Sequence, residues 1–211
     1  MYWKTSEHHG LKHNPFSALV SPRPIGWIST YGPDGTPNLA PYSFFNATSY
    51  SPPQVMFSVG ARVGGEGAPI KDTLSNVKKN GGFVANLVSW DLREAMNMSS
   101  AECPENVDEF ELAGVTAEKA DMVNAPRVKE SPVNFECRFI QTVETLHTEG
   151  TLPNILVLGE VVGIRIDDSV LEDGMVKYDR TQPISRLGYM DDYAATTDLF
   201  KMRRPAWPLK D

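Results

Sequence analysis

Apolar and β-branched residues lie in short runs along the first third of this chain, and turn-forming residues separate the runs. The run from Ile25 to Tyr31 favours an extended backbone, and the Asp34-Gly35 pair after it is typical of a tight hairpin turn. A second run returns from Thr36 to Phe45, and a third resumes at Gln54 after a proline break. The pattern predicts three strands, with the hydroxyl- and amide-rich segment Asn46-Ala47-Thr48-Ser49 at a turn before the third.

Later runs extend the β pattern. The segment from Phe83 to Val88 predicts another strand, and two long strands are predicted from Asn134 to Thr145 and from Asn154 to Ile166. Apolar and polar residues alternate imperfectly in the early runs, which is expected where both faces of a strand are covered, as in a small barrel packed against a partner or a ligand. The sequence therefore indicates a mainly β fold built around a small barrel.

The predicted helices are short. The segment from Lys71 to Gly82 predicts a helix, with Asp72 or Thr73 capping its start and glycine closing its end. Residues 89–96 predict a second helix, and residues 97–132 predict short helices and loops laid over the barrel. The carboxylates around Glu109, in this polar stretch, are interpreted as a solvated face.

Composition bounds the class of protein. The chain has 211 residues, 41% of them hydrophobic, which suits one domain. Its formal net charge of -7 argues against a general nucleic-acid or membrane-surface role. No apolar run approaches the roughly 18 residues of a membrane span, and the first residues lack the order of a secretory signal. We therefore expect a cytoplasmic protein that has neither nucleic acid nor a membrane as a partner.

Cysteine and histidine residues show no metal-binding pattern. Cys103 and Cys137 lie far apart and lack the spacing of a zinc site, so both are expected to be structural. His8, His9 and His13 lie in a polar amino-terminal arm and are interpreted as mobile surface residues. We expect no metal site.

Three long motifs carry a resemblance to a known family. They are RPIGWIST from Arg23, GTPNLAPYSFFNATSYSPPQVMFS from Gly35, and KDTLSNVKKNGGFVANL from Lys71. Together they resemble the flavin reductase family of FMN-binding split barrels, from about Ser21 to about Tyr193. The resemblance implies an arm over residues 1–20, a six-stranded antiparallel Greek-key split barrel over residues 21–193, and a tail over residues 194–211.

The same resemblance implies a homodimer that binds FMN, favoured over FAD. The flavin would take a hydride from NADH or NADPH and supply reduced flavin or electrons to an acceptor, such as a flavin-dependent partner enzyme. The cofactor itself performs this chemistry, so no catalytic side chain is assigned. The protein has to supply an apolar wall for the flavin ring and polar donors towards its pyrimidine edge.

The resemblance assigns these two tasks to residues of the first two motifs. They are Trp27, Ile28, Ser29 and Thr30 in the first strand, and Ala40, Pro41, Tyr42, Ser43, Asn46, Ala47, Thr48 and Ser49 in the segment that follows.

The predicted helix at Lys71 suggests where the FMN phosphate binds. Free N–H groups at a helix start and a lysine ammonium together favour an anion, although an ordinary cap worth ~1 kcal/mol explains the same residues. With the resemblance, Lys71, Asp72 and Thr73 are the candidates for the phosphate, and Arg62 is a weaker electrostatic aid.

The chain departs from the family pattern at the nicotinamide contact. Many relatives carry a histidine shortly before the Gly-Glu-Val that appears here as Gly159-Glu160-Val161, and Asn154 occupies its place, with His147 as a nearby substitute. Two alternatives therefore stay open: an FMN-binding electron-transfer protein without its own nicotinamide site, and a barrel that has lost the cofactor. The sequence Arg186-Leu187-Gly188, followed by Tyr193, resembles the family's closing motif.

Overall fold

The structure is a computed structural model that describes residues 1–60, 71–104 and 107–207. Its largest unit is an antiparallel sheet of seven strands. These strands are β2 Gly26–Tyr31, β3 Pro37–Tyr42, β4 Phe45–Tyr50, β5 Pro53–Val59, β6 Gly82–Asn86, β9 Val133–Glu144 and β10 Ile155–Ile166. Their order across the sheet is β3-β2-β6-β9-β10-β5-β4.

The mainly β fold with short helices is confirmed, but the expected count of six strands is wrong for this sheet. The additional strand is β4, which the sequence analysis interpreted as a turn because its residues are rich in hydroxyl and amide groups. It pairs with β5, with Asn46 opposite Met56. Strands β3 and β4 are the two edges of the sheet and do not pair with each other in the described chain, so the barrel is not closed.

Local chemistry explains the first hairpin. Strands β2 and β3 are joined by a turn in which the Gly32 N–H donates to the Thr36 carbonyl at 2.8 Å, and Gly35 has a φ of +87° that favours glycine. The Thr36 N–H donates to Oδ1 of Asp34 at 3.0 Å, and this bond holds the pKa of that carboxyl below its ordinary value. The turn predicted from the Asp-Gly pair is present.

Smaller elements surround the large sheet. A second sheet contains β1 Arg23–Pro24, β13 Ile184–Arg186 and β14 Tyr193–Ala195, in that order. Two short pairs are formed by β7 Ala117–Lys119 with β8 Pro126–Val128, and by β11 Leu171–Glu172 with β12 Met175–Val176.

The helices are short, as predicted. They are α1 Phe16–Leu19, α2 Asp72–Asn80, α3 Arg93–Met98, α4 Glu109–Ala113 and α5 Tyr178–Thr181, with single 3-10 turns at Trp90–Leu92 and Asp168–Val170. Gly81 follows the last residue of α2 and caps the helix, with a φ of +72° that favours glycine. In the described part of the chain, every helix is too short or too polar to cross a membrane.

Both faces of β2 are covered, as its imperfect alternation predicts. Ile28 belongs to one core cluster, with Phe57 and Phe83, and Trp27 belongs to another, with Leu39. A buried amide network holds the strands between these clusters. The Asn86 side chain donates to the Trp27 carbonyl at 2.8 Å, and its oxygen accepts from the Val128 N–H at 2.9 Å and the Asn134 amide at 2.8 Å.

Candidate functional site

A cleft of about 400 Å³ lies where the end of β3, the start of α2 and the segment after α3 meet. It brings together six residues that the sequence analysis selected from two separate motifs: Ala40, Pro41, Tyr42, Lys71, Asp72 and Thr73. The described lining also includes Asn38, Glu109 and residues 99–104, to which the sequence analysis assigned no function.

The start of α2 forms one wall of this cleft. Asp72 and Thr73 are the first two helical residues, and the residue that caps the helix is Lys71, so the prediction that Asp72 or Thr73 is the cap is wrong. The Lys71 carbonyl accepts from the Leu74 N–H at 3.0 Å, whereas its side chain makes no capping bond. The Lys71 side chain therefore leaves the positive end of the nine-residue helix without a cap of its own.

Glu109 lines the cleft and is buried, and its interpretation as part of a solvated face is wrong. The residue is 9% exposed, and its Oε2 accepts from the Leu39 N–H at 3.1 Å. Burial raises the pKa of Glu109, and the neighbouring carboxylates of Asp72 and Asp108 raise it further. Asp108 caps α4, and the first turn of this helix buries Glu109 and Phe110. The apolar Phe110 is the sequence signal that this turn has a buried face.

Charges along the described lining are unbalanced. Lys71 is the cation, and Asp72, Glu102 and Glu109 are carboxylates. A phosphate near the helix start would gain from the lysine and the helix N–H groups and would be repelled by the acids of the same lining. Arg62, the predicted electrostatic aid, lies outside the described residues.

Trp27, Ile28, Ser29 and Thr30 are fully buried. The Trp27 Nε1–H donates to Oγ of Ser99, a cleft residue, at 2.9 Å, and the Asn76 amide donates to Oγ1 of Thr30 at 3.1 Å. Trp27 therefore holds a residue of the cleft lining in place, and none of the four is itself among the described residues that line the cleft. Their direct contact with a flavin stays a prediction.

The second half of the predicted flavin segment lies apart from the cleft. Ser43 follows β3, and Asn46, Ala47, Thr48 and Ser49 lie on the edge strand β4, where the first three are exposed. None of these five is among the described residues that line the cleft. The structure thus divides the predicted site into a cleft and an adjoining exposed edge.

The two candidates for a nicotinamide contact lie in the connection between β9 and β10. His147 and Asn154 line the same open hollow, and the Asn154 carbonyl accepts from the Thr145 N–H at 3.0 Å. Neither residue is among those that line the cleft at Lys71.

Comparisons with known proteins agree with this architecture. The family model described as the flavin reductase like domain matches residues 19–185. A protein of Aquifex aeolicus is 41% identical over 171 residues, which are 81% of this chain and 83% of that protein.

Two solved structures have closely similar folds. The nitrilotriacetate monooxygenase component B from Bacillus cereus has a TM-score of 0.82 and 28% identity, over 93% of this chain and 100% of that one. The 2-nitrobenzoate 2-nitroreductase of Pseudomonas fluorescens has a TM-score of 0.81 and 25% identity, over 98% of both chains.

Proposed function

The chain belongs to the flavin reductase-like family, and from this premise we propose that it is an oxidoreductase that binds FMN and accepts a hydride from NADH or NADPH. The observation that carries the proposal is the cleft, because two motifs far apart in sequence meet there around a lysine at the start of a helix. The two similar structures bear the names of a monooxygenase component and a nitroreductase, which are oxidation–reduction proteins.

The residues present fit a phosphorylated flavin in part. Lys71 and the first N–H groups of α2 would hold the phosphate, and Ala40, Pro41 and Tyr42 would form the wall towards the ring. Bound flavin would supply the hydride chemistry. The chain's own contribution would be to bind the flavin, orient it and leave one face of the ring open.

A homodimer is part of the proposal. On β5 and β10, Phe57 and Val157 face the core, whereas Met56, Leu156 and Leu158 face the opposite side and are only partly buried. An apolar outer face on a sheet is suited to a second copy of the chain. Light scattering at micromolar concentration tests this assembly, and a monomer under those conditions would contradict it.

Lys71→Ala is the first test of the site. We expect the variant to bind FMN about 1.5 to 3 kcal/mol more weakly, because a charge-assisted hydrogen bond to phosphate is lost. Lys78→Ala is the matched control, since Lys78 is an exposed lysine in the last turn of the same helix. Fluorescence titration with FMN measures both variants, and equal affinities would move the phosphate away from α2.

Anaerobic titration of the FMN-loaded protein with NADH and with NADPH tests the reaction. Bleaching of the flavin absorbance by either nucleotide is the expected result, and failure to bind added FMN would overturn the proposal.

The second candidate is an electron-transfer protein without a nicotinamide site. It is favoured by Asn154 in the place of the family's histidine and by the position of His147 and Asn154 outside the cleft lining. Flavin that is reduced by dithionite but by neither nucleotide would select this candidate. The acceptor of the electrons and the cytoplasmic location stay predictions.

A further inference from the structure

Two arginines lie side by side at the start and the end of the predicted domain. Arg23 of β1 and Arg186 of β13 are directly opposite each other in an antiparallel pair, so their side chains leave the same face of the small sheet. Like charges in this arrangement destabilise a sheet. Arg186 and burial both lower the pKa of Arg23, with burial the larger cause.

Neither arginine is neutralised within the described chain. Nη1 of Arg23 donates to the Val20 carbonyl at 2.7 Å and to the Ser17 carbonyl, and Nη2 of Arg186 donates to the Tyr189 carbonyl at 3.0 Å and to that of Met190. Neither forms a salt bridge to a described carboxylate. Because the chain has 27 acidic and 20 basic residues, a shortage of carboxylates does not explain this.

Arg23 also retains an unused donor in the interior. The residue is only 8% exposed, and its Nε is buried without a hydrogen-bond partner. Leaving a charged donor unsatisfied in this way is costly, so a site with this feature requires an explanation. An anion with several acceptor oxygens beside the two guanidinium groups would compensate this unpaired positive charge and relieve the repulsion between them.

Aromatic rings flank the pair on both sides. The Arg23 guanidinium carbon lies 5.5 Å from the centroid of Phe44, and that of Arg186 lies 4.5 Å from the centroid of Tyr193. The two rings are 36% and 39% exposed, so both lie at the protein surface. Stacking holds a guanidinium plane in place while its N–H edge stays available to a ligand.

We propose that Arg23 and Arg186 form a binding site for a phosphoryl group of a nucleotide. The nucleotide class rests on the proposed function, whereas the anion site rests on the geometry of the pair. Phe44 belongs to the segment between β3 and β4 that the flavin is expected to contact. Tyr193 also lines a pocket of about 290 Å³ with Trp90 and Met190, which offers space for the organic part of a nucleotide. The lining of this pocket also includes Arg93 and the acids Glu94 and Asp191.

The first test uses inorganic phosphate and needs no flavin. At constant ionic strength, phosphate at ten times its dissociation constant should raise the Tm of the wild-type protein by about 3 to 6 °C. Arg186→Met should remove most of this rise. Arg180→Met is the control, because Arg180 also donates to two carbonyls, those of Ser169 and Leu171, but pairs with Glu172.

An unchanged phosphate effect in Arg186→Met, or no effect in the wild type, would overturn the site. Arg23→Lys is the second variant, chosen because it keeps a cation near the carbonyls that Arg23 bonds. If this variant folds with the wild-type Tm in chloride, its phosphate effect should still be reduced, since lysine lacks the planar fork.

Nucleotide titrations then identify the source of the phosphoryl group. If Arg186→Met weakens FMN binding about 10- to 100-fold but leaves riboflavin binding unchanged, the group is the flavin phosphate. If FMN binding is unchanged and the KM for NADH or NADPH rises, the group belongs to the nicotinamide nucleotide. Unchanged binding of all these ligands would overturn the nucleotide assignment. A wild type that binds phosphate but no flavin would refute the proposed function and leave the anion site standing.

Discussion

The cleft at Lys71 and the pair formed by Arg23 and Arg186 both offer cations to a phosphate, but they differ in what surrounds the charge. Carboxylates share the cleft with Lys71, and one of them, Glu109, is buried. Aromatic rings and carbonyls surround the arginines, and no described carboxylate pairs with either. The comparison indicates that carboxylates of the cleft partly offset the charge of Lys71, whereas an anion from outside the chain would have to offset the charge of the arginine pair.

The difference also concerns rigidity. Lys71 is the residue before a helix, with a partly exposed side chain that makes no capping bond. Each arginine is held by carbonyl bonds and a ring, so little rotational freedom is left to lose when an anion binds. A preorganised pair is therefore suited to recognise a phosphate of defined orientation.

Placing a carboxylate at the arginine pair is the strongest way to break this comparison without removing a cation. In Tyr193→Glu, an acid replaces the ring that stacks on Arg186. The new carboxylate should occupy the position that we propose for the bound phosphate. We expect phosphate to bind about 10-fold more weakly or worse, a loss of at least about 1.4 kcal/mol, as measured by the phosphate dependence of Tm.

Tyr193→Gln is the matched control, because it removes the same ring without adding a charge. It should keep most of the phosphate effect. If phosphate raises the Tm of the Glu and Gln variants equally, the ring of Tyr193, and not the positive charge of the two arginines, determines phosphate binding.

Local sequence chemistry predicted much of the fold. The Asp34-Gly35 turn, the helix before Gly81 and the two long strands are present because each depends on neighbouring residues. Three of the four ends of the long strands differ from the predicted ends by a single residue, and the fourth, Ile166, agrees. Such elements can be predicted from turn-forming residues, from a glycine that ends a helix and from runs of β-branched side chains.

Features that depend on distant partners could not be predicted in this way. The segment at Asn46 becomes a strand only because β5 pairs with it. The buried Glu109 accepts from the Leu39 N–H, and nothing near either residue in sequence indicates that contact. Likewise, Arg23 and Arg186 meet only through the register of β1 with β13.

Removing a carboxylate from the cleft should have a smaller effect, in the opposite direction. Glu109→Gln keeps an oxygen to accept from the Leu39 N–H and removes one negative charge. If the FMN phosphate binds at Lys71, we expect FMN to bind about 1 kcal/mol more tightly, roughly fivefold, because a repulsive charge is lost. Fluorescence titration measures the change.

Glu111→Gln is the control for this variant, because Glu111 is an exposed acid on the same helix. It should change FMN affinity little. The effect of inorganic phosphate at the arginine pair should be the same in both variants. If Glu109→Gln and Glu111→Gln bind FMN equally, the flavin phosphate does not lie in the cleft.

The smallest effect is the pH dependence of stability that Glu109 contributes. Burial raises the pKa of its carboxyl above the ordinary value of 4.5, so the folded protein binds this proton more readily than the unfolded chain does. As the pH rises from 4.5 through the folded-state pKa, deprotonation of Glu109 therefore lowers the free energy of unfolding of the wild-type protein.

The variant Glu109→Gln lacks this titration. Its free energy of unfolding relative to that of the wild type should therefore increase with pH across that window and then stay constant. Urea unfolding of both proteins at several pH values measures the difference, in which the opposite contributions of exposed acids such as Asp34 cancel. If the difference in the free energy of unfolding between the two proteins does not change with pH, the carboxyl of Glu109 is not desolvated in the folded protein.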